Sequence, residues 1–117
     1  VDHLAKPRLA AGRDAEWARA MAGFADCTNV ACKLSGIVTE AAPGPVRAED
    51  VAPYVDRVRS LFGDSRLLFG SDWPVCTLRA TYGEVVALLR ETLRLIGMPP
   101  DGAVFGANAA EVYGLPE

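Results

Sequence analysis

Residues 66–75, "RLLFGSDWPV", place an apolar run, a glycine, a carboxylate, a tryptophan and a proline within ten positions. The run Leu67-Leu68-Phe69 shows no polar alternation, which is the pattern of a parallel strand covered on both faces. Strands of that kind belong to α/β architectures, where ligands gather at the carboxyl ends because every strand delivers its terminal residues to the same mouth. Asp72, just beyond the run, stands where such a fold places chemistry.

Working outward, "NVACKLSGI" (29–37) reads as another strand, with Val30, Cys32 and Leu34 on one face and Ala31, Lys33 and Ser35 on the other. "VDHLAKP" (1–7) reads as a strand end running into a loop, with His3 near its tip. Helical patterns lie between. Asp14 can cap a helix whose Trp17, Met21 and Phe24 share a face. Roughly Glu49 to Phe62 carries Val51, Tyr54, Val55, Val58, Leu61 and Phe62 at helical spacing, with Gly63 as its stop. "TEAAPGPVRAED" (39–50) is a loop by its proline and glycine content. Thr81 and Glu84 form a capping box opening a helix with Val85, Val86, Leu89, Leu93 and Ile96 inward, closed by Gly97 and the Pro99-Pro100 pair. A last short helix is expected to start at Asn108, with Glu111 at capping-box spacing, and to stop near Gly114. The expected order is strand, helix, strand, helix, strand, helix, helix: three βα units of a barrel or of an open doubly wound sheet.

Composition narrows the function classes. The 117 residues fit one domain, and 50% hydrophobic with 23% charged residues is globular. A net charge of −3, with 12 Lys and Arg spread along the chain, offers no basic patch for nucleic acid. No apolar run approaches the ~20 residues that cross a bilayer, and no export signal is visible. Cys27, Cys32 and Cys76 are odd in number and lack CxxC spacing, so neither a disulfide framework nor a structural zinc site is indicated, and a cytoplasmic setting is the expectation. The sequence opens on Val1 at the end of a strand pattern with no turn or cap signal before it, which reads as one partial domain, residues 1–117, of a longer chain.

His3, Lys33 with Ser35, and Asp72 then fall at or near three successive strand ends. Each has a plainer local reading: His3 a loop histidine, Asp72 a turn cap before Trp-Pro, Lys33 a snorkelling charge, Trp73 core or pocket wall. Their convergence on one mouth is what favours function.

"VDHLAKP", "NVACKLSGI", "FGSDWPV" and "GANAAEVYGL", in this order and at these separations, resemble the C-terminal part of the amidohydrolase superfamily, in the branch of fuconolactonase-, rhamnonolactonase- and pyrone-dicarboxylate-lactonase-like hydrolases. The resemblance covers essentially the whole chain. It implies a (β/α)8 TIM barrel of which this chain supplies the last three βα units, the missing N-terminal half being its natural partner. It further implies His3 and Asp72 as catalytic residues, Asp72 as the base that takes a proton from the attacking water and delivers it to the leaving group. Lys33, Ser35 and Trp73 carry over as substrate-pocket positions, with Lys33 able to pair with carboxylates or hydroxyls of a sugar-acid or dicarboxylate substrate. One divalent metal, zinc or similar, is implied in the complete protein if it binds one, on His3 and Asp72; metal-independent members also exist. The branch's His-x-His pair is absent, since this sequence has one histidine. Lactone hydrolysis is the leading expectation, with the isolated chain inactive. A decarboxylase or hydratase on the same scaffold, and a non-catalytic half-domain that packs on a partner chain, are the alternatives.

Overall fold

A computed structural model describes residues 1–116 as an α/β unit. In chain order its elements are helix α1 (Ala15–Ala22), strand β1 (Cys32–Leu34), the short helix α2 (Ile37–Glu40), helix α3 (Ala48–Phe62), strand β2 (Leu67–Phe69), helix α4 (Tyr82–Leu95) and helix α5 (Ala107–Tyr113). Both strands are parallel and in register, Cys32 opposite Leu67, Lys33 opposite Leu68 and Leu34 opposite Phe69.

Burial sorts the residues by face. Cys32, Leu34 and Leu67 pack into one core with Val51, Tyr54, Val55, Val58 and Phe62 of α3 and Leu89 and Leu93 of α4. Removing each such side chain from water contributes roughly 1.5–3 kcal/mol, so this strand–helix layer carries most of the stability. α1 joins it through Trp17 and Met21, the Trp17 ring meeting Tyr54 edge-on with centroids 5.3 Å apart.

Three expectations need correction. Among the described residues two strands form, and the expected first strand does not. Val1 makes ladder bonds on β1, its amine donating to the Ala31 carbonyl and its carbonyl accepting from Lys33 N–H at 2.9 Å, but a single residue is too short to count as a strand. The second strand is only three residues long, because Gly36 turns into a left-handed conformation (φ 65°) and Ile37–Glu40 coil into α2. Asn108 is not a cap: it lies inside α5, buried, and its amide donates to the carbonyls of Asp64 (2.8 Å) and Leu67 (2.9 Å). Satisfying the buried Leu67 carbonyl of β2 and the Asp64 carbonyl in the turn before it outweighs a local capping bond.

Other signals are present as read. Thr81 and Glu84 form both halves of the capping box on α4, and Asp14 accepts from Trp17 N–H at the start of α1. Arg8 clamps the same carboxylate through its backbone N–H (2.9 Å) and both arms of its guanidinium (3.1 Å), which holds the Asp14 carboxyl well below its usual range.

Candidate functional site

The site assembles where the chain leaves its strands, and the backbone is strained there. His3, Leu4, Ala5 and Lys6 adopt φ of 50°, 55°, 56° and 51°, one turn of left-handed helix made without glycine. Its internal bonds run from Ala5 N–H to the Asp2 carbonyl and from Lys6 N–H to the His3 carbonyl, each 2.8 Å. L-residues disfavour this conformation by roughly 1–2 kcal/mol apiece, so neighbouring structure must impose it. Two contacts do so: Leu4 is buried in the core, and the Trp17 indole N–H donates to the Leu4 carbonyl at 2.6 Å.

The turn aims His3 back over the end of β1. Its Nδ1 lies 2.8 Å from Ser35 Oγ, and its ring packs on Gly36, where a Cβ would come within 3.0 Å of the imidazole. Ser35 is 2% exposed and its hydroxyl is engaged by that ring. A hydroxyl both donates and accepts, so it orients the imidazole in either tautomer and leaves Nε2 facing the mouth.

Opposite stands Asp72, beyond the end of β2 and also left-handed (φ 59°). Its carbonyl accepts from Cys76 N–H at 2.8 Å, which fixes the bend and turns the carboxylate toward β1. The result is an Asp72 Oδ1 to His3 Nε2 distance of 3.8 Å, with both side chains partly exposed. That is too long for a hydrogen bond and short enough for both atoms to address one guest. Gly70 permits the approach: a Cβ there would stand 2.8 Å from the Ser35 Cβ and 2.9 Å from the Lys33 side chain.

Lys33 lies on the same side as Ser35 but its ammonium is taken by Asp2, at 2.9 Å. The pair raises the Lys33 pKa and lowers that of Asp2, in both cases chiefly through this hydrogen bond. Trp73, joined to Pro74 by a cis peptide bond, is 66% exposed and projects away from the core. Burial pushes the Cys32 thiol up to about 11, which makes it a packing group rather than a nucleophile.

Sequence reasoning therefore located His3, Ser35, Lys33 and Asp72 around one mouth but missed three residues. Asp2 adjoins His3 in "VDH", and its pairing with Lys33 needs the third dimension. The helical spacing marks Trp17 only as part of an apolar face, whereas its buried indole N–H must find an acceptor and does so at the Leu4 carbonyl. Gly70 interrupts an apolar run immediately before the polar pair Ser71-Asp72, a signal of close backbone approach.

Comparison with known proteins decides the family. The family model described as Amidohydrolase matches residues 1–115. The chain belongs to the amidohydrolase family. An L-fucono-1,5-lactonase from Burkholderia ambifaria is 44% identical over 97% of this chain, which spans 40% of that relative. Among solved structures, an amidohydrolase from Burkholderia multivorans with bound HEPES superposes with a TM-score of 0.87 at 41% identity, covering 99% of this chain and 44% of that one. An amidohydrolase from the same organism with bound zinc gives 0.85 at 40% identity, over 98% and 43%. This amidohydrolase chain thus spans well under half the length of the relatives it matches. Among the described residues no helix is long and apolar enough to cross a membrane.

Proposed function

We propose that this chain is the C-terminal part of a (β/α)8 amidohydrolase that hydrolyses the ring ester of a sugar-acid lactone. The observation that carries the reading is the facing of Asp72 Oδ1 and His3 Nε2 across 3.8 Å at the carboxyl ends of parallel strands. The identity with L-fucono-1,5-lactonases supports the substrate class.

In this mechanism Asp72 accepts a proton from a water as that water attacks the lactone carbonyl carbon. His3 donates from Nε2 to the oxyanion that develops on the carbonyl oxygen, while Ser35 accommodates the tautomer at Nδ1. The tetrahedral intermediate collapses by breaking the ring C–O bond, and the proton held by Asp72 passes to the departing alkoxide. Lactone and water become one open-chain hydroxy acid. The contacts that impose both left-handed segments, Leu4 burial with the Trp17 bond and the Cys76 N–H on the Asp72 carbonyl, hold the two groups in place without searching.

The donors also fit part of a metal site. Neighbouring ligands on a tetrahedral ion with ~2.1 Å bonds lie roughly 3.4 Å apart, close to the 3.8 Å seen here. His3 Nε2 and Asp72 Oδ1 would hold such an ion; no group of three His, Cys, Asp or Glu converges among the described residues, so further ligands would come from the rest of the barrel. When bound, a divalent ion polarises a carbonyl and acidifies water.

The test uses the full-length protein and a panel of sugar-acid lactones, with turnover followed by proton release. Asp72→Asn is expected to lower kcat by about 10²–10⁴-fold with KM little changed, the signature of a lost base. A variant as fast as its parent would remove Asp72 from the chemistry.

A further inference from the structure

The chain has two lysines, and both lie near His3 already matched to carboxylates: Lys6 to Glu40 at 3.4 Å and Lys33 to Asp2 at 2.9 Å. Among the described residues, Asp2 and Glu40 each form an ion pair with a lysine, whereas the ion pair of Asp72 is with His3. Among the described residues, Glu40, Asp2 and Asp72 set against Lys6 and Lys33 leave this part of the mouth with one negative charge when His3 is neutral. A free ammonium on Lys33 would make it neutral and present a cation beside the reacting groups. The sequence alone suggests that cation as a docking point for a substrate carboxylate. The three-dimensional arrangement gives it an internal one.

We propose that Asp2, by holding the Lys33 ammonium, sets the charge class of the ligand: the site takes an uncharged lactone and disfavours carboxylate anions, its own open-chain product included. The proposal rests on the lactonase reading and deepens it. Hydrolysis turns a neutral ring into a hydroxy acid, which becomes an anion beside Asp72 once its carboxyl releases a proton to solvent. A mouth whose Lys33 is already neutralised gives that anion no free ammonium to pair with, so like-charge repulsion from Asp72 opposes its retention. The field that matters is local: Asp72 acts on Lys33 through space as well, adding to the pull on its proton. In this chain the Asp2 carboxylate is held 2.9 Å from the ammonium of a half-buried lysine.

Three variants of the full-length protein test this: Asp2→Asn, Lys33→Met and the two combined. The readout is the ratio of the inhibition constant of the product sugar-acid anion to KM for the neutral lactone. Asp2→Asn unmasks the ammonium and is expected to lower the ratio about tenfold, an effect that shrinks in 0.5 M salt. Lys33→Met leaves Asp2 unopposed and is expected to raise it several-fold. The double variant restores the net charge and is expected to return the ratio to within about twofold of the parent. A purely structural ion pair would instead move both constants together and leave the ratio unchanged in all three, which would overturn the proposal. Should Asp2→Asn not fold, the opposite sign for Lys33→Met decides alone. Calorimetric binding of the anion, which needs no turnover, separates this inference from the lactonase reading: a parent without lactonase activity overturns the latter, while anion affinity unaltered across the variants overturns the former.

Discussion

The helical layer and the mouth of this chain obey opposite rules. In α3 and α4 local preference mostly agrees with the fold: apolar residues at helical spacing are buried, Thr81 and Glu84 close a capping box, and Gly63 ends α3, with Pro53 inside α3 the exception. At the mouth five non-glycine residues, His3 to Lys6 and Asp72, sit in the left-handed region. The layer stores stability and the mouth spends some of it. What the difference teaches is that His3 and Asp72 are placed by their surroundings rather than by their own preferences. Their positions therefore depend on a few tertiary contacts, while the helices depend on many.

The largest effect that tests this contrast is the loss of turnover in Asp72→Asn. Asparagine also tolerates a left-handed backbone, so the stability of that variant should stay within about 0.5 kcal/mol of the parent by chemical denaturation. Function and stability then part company at the mouth. Next comes Asn108→Ala, on the layer side. It strips the carbonyls of Asp64 and Leu67 of their donor, at a cost of roughly 1–3 kcal/mol, and regains about 0.5 kcal/mol because alanine favours helix interiors. A net loss of about 1–2 kcal/mol in unfolding free energy is expected. No measurable change would mean that α5 is held by apolar packing alone.

A smaller effect follows from pH. The folded Asp14 carboxyl is depressed below its unfolded value by Arg8, the largest cause, and by the backbone N–H groups of Arg8 and Trp17. A depressed acid contributes stability that is fully present above its unfolded pKa, near 4, and is lost as pH falls through the folded value. Parent stability should therefore decline as pH drops below about 4, and Asp14→Asn should flatten that part of the curve. Thermal unfolding from pH 6 to pH 2 reads the difference. Parallel curves for the two proteins would show that the Arg8–Asp14 clamp adds nothing to folding.

How much of this was legible tracks the same divide. α3, α4, the Asp14 cap and the Thr81–Glu84 box follow from spacing alone, because each rests on residues within a few positions of one another. Two of the three expected strands are present, and the 29–37 pattern overruns its strand because the turn at Gly36 and the coil of Ile37–Glu40 depend on fitting His3 against the backbone. Asn108 was misread because Glu111 offered a local partner while its actual acceptors lie 41 and 44 residues away. "HLAK" contains nothing that signals a left-handed turn. That conformation follows from the burial of Leu4 and the reach of the Trp17 indole, neither of which a linear pattern encodes. At the mouth, the ends of apolar runs pointed to His3, Ser35, Lys33 and Asp72, yet the division of labour among them, Ser35 on the imidazole and Asp2 on the ammonium, appears only when the runs are set side by side.

The smallest expected effect divides the two regions most sharply, because it applies one substitution to both. Ala5 is exposed and left-handed at φ 56°; Ala87 is exposed and lies inside α4. In the helix, Ala87→Gly should cost about 1 kcal/mol, the ordinary propensity difference. In the turn, glycine removes a left-handed penalty of roughly 1–2 kcal/mol and adds about 0.5–1 kcal/mol of chain entropy to the unfolded state. Ala5→Gly should therefore stabilise the protein by about 0.5–1 kcal/mol, the opposite sign for the same chemical change. The gain has a counterpart in function, since a glycine two residues from His3 widens the set of conformations the turn can sample. Turnover should fall a few-fold as the imidazole spends less time facing Asp72. Unfolding by denaturant and steady-state kinetics on the full-length protein measure both halves. If Ala5→Gly destabilises as much as Ala87→Gly does, the turn carries no strain, and the placement of His3 needs another cause.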